Sequence, residues 1–147
     1  MLFKRLNRDQ PEQVFVVVEN NEGSPIVANQ TVQIDHTTDV DGVKSRDMDT
    51  GALFAFQGVA DADIADNAFG LVQVYGYRSS SQLLLTDTTQ AAGLPLVPVA
   101  AQEYFASVVS STASNAAVTL QPVFAVLLES HTTGTGTVSK KIFIRGM

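Results

Sequence analysis

The residues best equipped for chemistry are aspartates in short-spaced pairs: Asp39 with Asp41 before Gly42, Asp47 with Asp49, and Asp61 with Asp63. Clustered oxygen ligands beside a glycine turn suit a hard cation, but a calcium loop needs further acids and a closing glutamate that none of these pairs has. They therefore read as solvated turn residues. His36 and His131 are the only histidines; they are far apart in sequence, and the chain contains no cysteine, so zinc spacing is missing. Ser79, Ser80 and Ser81 could supply a nucleophile, yet no Gly-x-Ser-x-Gly elbow presents one. Two carboxylates could still converge for glycoside hydrolysis, although the chain has no tryptophan to make a sugar platform. The expectation is a non-enzymatic protein without catalytic residues, cofactor or metal.

The elements that position these groups are bounded by composition. A chain of 147 residues with 45% apolar content fits one domain with a sizeable core. Without cysteine, packing or an oligomer interface must supply stability, and the composition suits folding in a reducing cytoplasm. The apolar runs are far too short to cross a bilayer as helices, so no membrane partner is expected. Net charge is −6, but its distribution is more informative: Lys4, Arg5, Arg8, Lys140, Lys141 and Arg145 lie at the two ends, and all 15 carboxylates lie between Asp9 and Glu129. An acidic body with basic ends repels phosphates, so direct nucleic-acid binding is not expected. The terminal cations are either simply solvated or dock on an acidic partner.

Along the chain, residues 1–12 read as an arm and residues 13–147 as a β domain. Residues 14–18, all apolar and mostly β-branched, predict a buried strand. Ile26, Val27 and residues 31–34 suggest a hairpin with it, and residues 35–51, with five aspartates, a long loop. Residues 58–78 form the centre of the pattern, an acidic turn leading into Phe69 to Tyr77. Alternation puts Phe69, Leu71, Gln73, Tyr75 and Tyr77 on one face and Gly70, Val72, Val74 and Gly76 on the other, with both faces covered and Gly76 marking a bulge or close approach. Tyr75 and Tyr77 suit either core packing or a protein interface. Leu83 to Leu85 form a separate short strand, Pro95 and Pro98 mark an extended segment crossing an edge, and residues 100–109 are the one helix candidate. A strand interrupted by Pro122 spans residues 118–128 at an edge or bulge, and a Gly-Thr turn leads to a final strand over residues 138–145. The fold class is all-β, a small single-domain antiparallel barrel or sandwich with an extended N-terminal arm and a C-terminal strand.

Gly58-Val59-Ala60, Ile64, the run from Phe69 to Gly76, Ala92-Gly93-Leu94-Pro95-Leu96 and Phe124-Ala125-Val126-Leu127-Leu128-Glu129 together resemble the decoration, or cement, proteins of tailed-bacteriophage capsids. The resemblance covers about the last two thirds of the chain and consists of glycine-punctuated strands without a chemical signature. It implies a virion protein, made in the host cytoplasm and placed on the outer capsid surface. Such a protein stabilises the icosahedral head as a homotrimer bound across neighbouring copies of the major capsid protein. The expected capsid or subunit contacts are Leu2, Phe3, Lys4, Arg5, Leu6, Arg8, Tyr75, Tyr77, Lys140, Lys141 and Arg145. The alternative is a virion-borne or secreted β-sandwich recognition module that binds a host-surface glycan or receptor through loops such as residues 35–51.

Overall fold

The computed structural model describes residues 11–38, 41–49, 53–85, 89–107, 123–132 and 134–145. The N-terminal arm lies almost wholly outside them. The described chain is all-β: β1 (Gln13–Asn20), β2 (Thr31–Ile34), β3 (Lys44–Asp47), β4 (Phe56–Ala60), β5 (Phe69–Leu85), β6 (Pro95–Pro98), β7 (Phe105–Ser107), β8 (Ala125–Leu127) and β9 (Gly136–Arg145). A single 3-10 turn, Leu53–Ala55, leads into β4.

All nine strands belong to one mixed sheet in the order β1-β3-β2-β4-β5-β7-β6-β8-β9, and further pairings of β5 with β1 and with β9 return it to the same strand from both sides. The 17-residue β5 is therefore shared by two circuits. Its first half is paired antiparallel with β1 and β4, and its second half pairs antiparallel with β9 and parallel with β7. Neither circuit is a regular barrel. The contacts of β1 with β3 and of β5 with β7 are parallel and only two residue pairs long, so the sheet is mostly, not wholly, antiparallel.

Two apolar clusters fill the circuits. Val18, Ile26, Val32, Ala60, Ile64, Val72 and Val74 form an aliphatic cluster in the first. The second gathers Leu83, Leu85, Leu96, Phe105, Leu127, Ile142 and Ile144 with Met48, Phe56 and Val59, so side chains from the first circuit also close it. Phe56 packs against Phe105 and Phe124 at ring-centroid distances of 5.5 and 4.8 Å. Two glycines permit the close strand approaches. A Cβ on Gly58 would lie 2.2 Å from the Gln73 carbonyl oxygen, and Gly76 combines φ of +100° with a Cβ position 2.0 Å from the Glu12 carbonyl oxygen. The close approach expected at Gly76 is present, next to a bulge in the pairing of β1 with β5.

Several local expectations are corrected. Residues 100–107 form a turn followed by β7, because the ladder between β6 and β5 overrides a weak helix propensity; Ala101 itself has φ of +55°. The segment of residues 35–51 contains β3, which pairs with β2 and β1, and the anticipated hairpin between β1 and β2 does not form. Leu83 to Leu85 continue β5 instead of forming a separate strand, since β9 pairs along it from Tyr75 to Leu85. β1 is buried on one side only: Val18 is buried, whereas Val17 is 63% exposed. Proline-flanked β6 lies between β7 and β8, and β8 between β6 and β9, so neither is an edge. Both β6 prolines sit at strand ends, where a missing N–H is tolerated. Pro122 and residues 118–121 lie outside the described residues.

Candidate functional site

Two places combine position with distinctive chemistry: a carboxylate cluster beside β2 and β3, and an apolar face on the ladder of β1 with β5. In the cluster, the Asp47 backbone N–H and the Arg46 Nε–H both donate to Glu22 Oε2 at 3.2 Å. Arg46 Nη1 lies 3.4 Å from Asp49 Oδ2, and Asp49 exchanges bonds of 3.1 and 3.2 Å with the buried Gln33 amide. Glu103 enters from the 99–104 turn: its carbonyl accepts the Thr31 N–H at 3.0 Å, and its Oε2 accepts from Gln30 Nε2. Burial, followed by the charges of Glu103 and Glu22, pushes Asp47 up to about 7, against a smaller opposing pull from Arg46. Asp47 Oδ1 is buried and has no hydrogen-bond partner.

Asp35, at the far end of β2, meets the opposite surroundings. It is 1% exposed, and burial alone would raise it. Thr37 and Thr38 donate through hydroxyl and backbone groups, and Asn21 Nδ2 donates at 2.7 Å. Those donors outweigh burial and hold the carboxyl well below the ordinary carboxylate range.

A third polar centre fastens the middle of β5. Buried Arg78 donates from Nε to Ser80 O (2.8 Å), from Nη1 to Asp61 Oδ1 and Gln73 Oε1 (both 3.2 Å), and from Nη2 to Asn29 Oδ1 (2.9 Å) and Ala60 O (2.7 Å). These acceptors match all five guanidinium donors. Burial pulls the guanidinium below its ordinary range and Asp61 opposes that pull. Arg78 thus acts as a rivet between β5, β4 and the turn before β2. The pair Asp61 and Asp63, read from sequence as turn aspartates, is used in this way: Asp61 on Arg78, and Asp63 Oδ1 accepting the Ala28 N–H at 2.8 Å.

The apolar face follows from register. Val17 lies opposite Leu71 and Glu19 opposite Phe69, so the four side chains share one side of an antiparallel ladder. That side points outward: Phe69 is 65% exposed and Leu71 45%. The expectation that both faces of this run are covered is corrected here, since the small face, Val72 and Val74, enters the core and the large face meets solvent at its start.

The residues singled out from sequence are partly brought together. Tyr75 and Tyr77 are half-buried on β5, opposite Arg145 and Phe143 of β9, and Tyr75 packs edge-on against Phe143 at 5.3 Å. Arg145 is exposed. Lys140 and Lys141 lie further back along β9: Lys140 Nζ reaches Ser130 O at 3.4 Å and Lys141 Nζ lies 3.9 Å from Glu129. Leu2, Phe3, Lys4, Arg5, Leu6 and Arg8 lie outside the described residues. Sequence reasoning missed Glu103, because it was placed on the helix candidate, and missed the exposure of Phe69 and Leu71, because periodicity separates two faces without saying which one is wet. Among the described residues no group of three or more histidine, cysteine or acidic side chains has metal-holding geometry, and no helix is long and apolar enough to cross a membrane. No protein-family model matches the chain, and no curated protein matches it in sequence.

Proposed function

We propose that the chain is a non-enzymatic virion structural protein that decorates and stabilises an icosahedral phage head, binding across neighbouring major capsid proteins from the outer surface as a homotrimer. The observation that supports this reading best is the outward ladder of Val17, Phe69 and Leu71 on a sheet that otherwise closes on itself through β5. Contiguous exposed apolar side chains on a soluble domain mark a surface built to be covered by another protein. The glycine-punctuated strands that resemble cement proteins agree with this, as do the basic end residues Lys4, Arg5, Arg8 and Arg145 around an acidic body. In this reading the apolar ladder seats the body on the shell, residues 1–8 extend over an adjacent capsomer, and many equivalent weak contacts add up over the particle.

The test is co-sedimentation of purified protein with empty phage heads, with copy number counted against the major capsid protein. Saturable occupancy in a fixed ratio is expected. The double variant V17K/L71K should lose it while keeping the wild-type circular dichroism spectrum. Full occupancy by that variant, or saturable binding to host cell-wall fractions with none to heads, would overturn the reading.

A further inference from the structure

Strand β1 has one covered edge and one open edge. Toward β5 it is paired from Gln13 to Glu19, and on its other side β3 meets it at Glu19 and Asn20. Backbone bonds fix which groups face the open side. Asn20 N–H donates to Ala68 O at 2.9 Å and Glu12 O accepts from Tyr77 N–H at 3.1 Å, so the even-numbered residues bond toward β5. Glu19 N–H turns the other way, to Val43 O at 2.9 Å, and Leu71 O, opposite Val17, is taken by the Asp61 N–H at 2.9 Å. The N–H and C=O groups of Gln13, Phe15 and Val17 therefore point away from β5, where among the described residues no strand pairs with them. The outer edge of β9 is built differently. Before the residues that pair with β8 it carries Lys140 and Lys141, and Lys141 is closed locally, its N–H on Glu129 Oε1 at 3.0 Å and its carbonyl on the Leu128 N–H at 2.9 Å. Lysines and local closure keep foreign strands off an edge. From Phe15 to Val18, β1 is apolar throughout, and Val17 is exposed. Such an edge needs a covering strand.

We infer that residues 1–8 of the same chain supply that strand in the free protein: they fold back across residues 9–12 and pair with Gln13 to Val17, a latch over the edge beside the apolar ladder. Residues 1–10 lie outside the described residues, and the chain enters them through Pro11, at the end of this same edge. Length permits the return. The open edge spans about 17 Å, and eight extended residues reach about 26 Å. The chemistry of the segment fits as well: Leu2, Phe3 and Leu6 match an apolar strand, and Lys4, Arg5 and Arg8 come to an edge that has Glu12 and Glu19 at its ends and no cation within β1. The added strand gives the open N–H and C=O groups partners and keeps other chains from pairing there. On a phage head the segment leaves this edge for the adjacent capsomer. That release rests on the function proposed above; the latched state of the free protein does not.

Amide hydrogen exchange of the full-length protein, followed by NMR with no heads present, tests the latch, so it can fail while the shell reading stands, and the reverse. The Phe15 and Val17 amides should exchange about tenfold or more below their intrinsic rates, and should show nuclear Overhauser contacts to residues 1–8. Deleting residues 1–8 should return both amides to their intrinsic rates, while the Asn20 amide, bonded to Ala68 O at 2.9 Å, stays protected and reports a folded body. When the isotope-labelled deletion variant is mixed with unlabelled full-length chain, its Phe15 and Val17 amides should remain unprotected. Unprotected Phe15 and Val17 amides in the full chain, protection that survives the deletion, or protection passed to the labelled variant by a second copy would each overturn the proposal.

Discussion

The two circuits that share β5 are held by different physics. The first packs only aliphatic side chains, Val18, Ile26, Val32, Ala60, Ile64, Val72 and Val74, and surrounds them with buried polar groups: Asn20, Gln30, Gln33, Asp35, Gln73 and Arg78. Asn20 Nδ2, for instance, bonds both Ser24 O at 2.8 Å and Ile64 O at 2.9 Å, tying the loop after β1 to the turn before β5. The second circuit relies on volume, with Phe56, Phe105 and Phe124 in ring contact and leucine and isoleucine around them. A small aliphatic core leaves much of the fold's specificity to directional bonds, whereas a large aromatic core obtains it from shape. The expected consequence is that the first circuit responds to pH and to loss of single polar atoms, and the second to loss of volume.

The sharpest way to break the comparison is in the second circuit. Phe105→Ala removes a fully buried ring and should cost about 3–5 kcal/mol in denaturant unfolding, with no pH dependence of the difference. Next comes Arg78→Met, which strands the Ala60 carbonyl and Gln73 Oε1 in the first circuit; about 3 kcal/mol is expected. If it costs less than Val72→Ala, directional bonds are not what holds that circuit. Asp35→Ala should lose about 2 kcal/mol at neutral pH through its charge-assisted bonds to Thr37, Thr38 and Asn21. Because its folded pKa is depressed, that contribution exists above the ordinary carboxylate range and disappears as pH falls through the depressed value, so wild type and variant should converge in acid. Asp47 runs the other way, and Asp47→Asn should gain relative stability as pH rises past about 7. The smallest effect belongs to the exposed ladder: Val17→Lys and Leu71→Lys should each shift stability by less than about 0.5 kcal/mol, since neither side chain lies in a core cluster.

Composition and local pattern determined the fold class. β-branched runs such as Val16-Val17-Val18, the alternation around Val72 and Val74, and turn chemistry at Asp66-Asn67 all point to strands, and Asn67 does take φ of +58°. Gly76 announced a close approach because a residue without a side chain inside a strand leaves room for another backbone. Pairing and exposure were decided by the tertiary structure. Residues 105–107 became a strand because neighbours on both sides offered backbone partners, and residues 44–47 did so although their side chains are polar. Asp35, Asp47 and Asp61 are one residue type in similar acidic segments. One is held ionised by surrounding donors, one is pressed toward its proton by burial and then by neighbouring carboxylates, and one is spent on a buried arginine. Sequence supplied the ionisable groups, but a pKa depends on what the chain brings within a few ångströms, and those neighbours come from up to 56 positions away, as Glu103 does for Asp47.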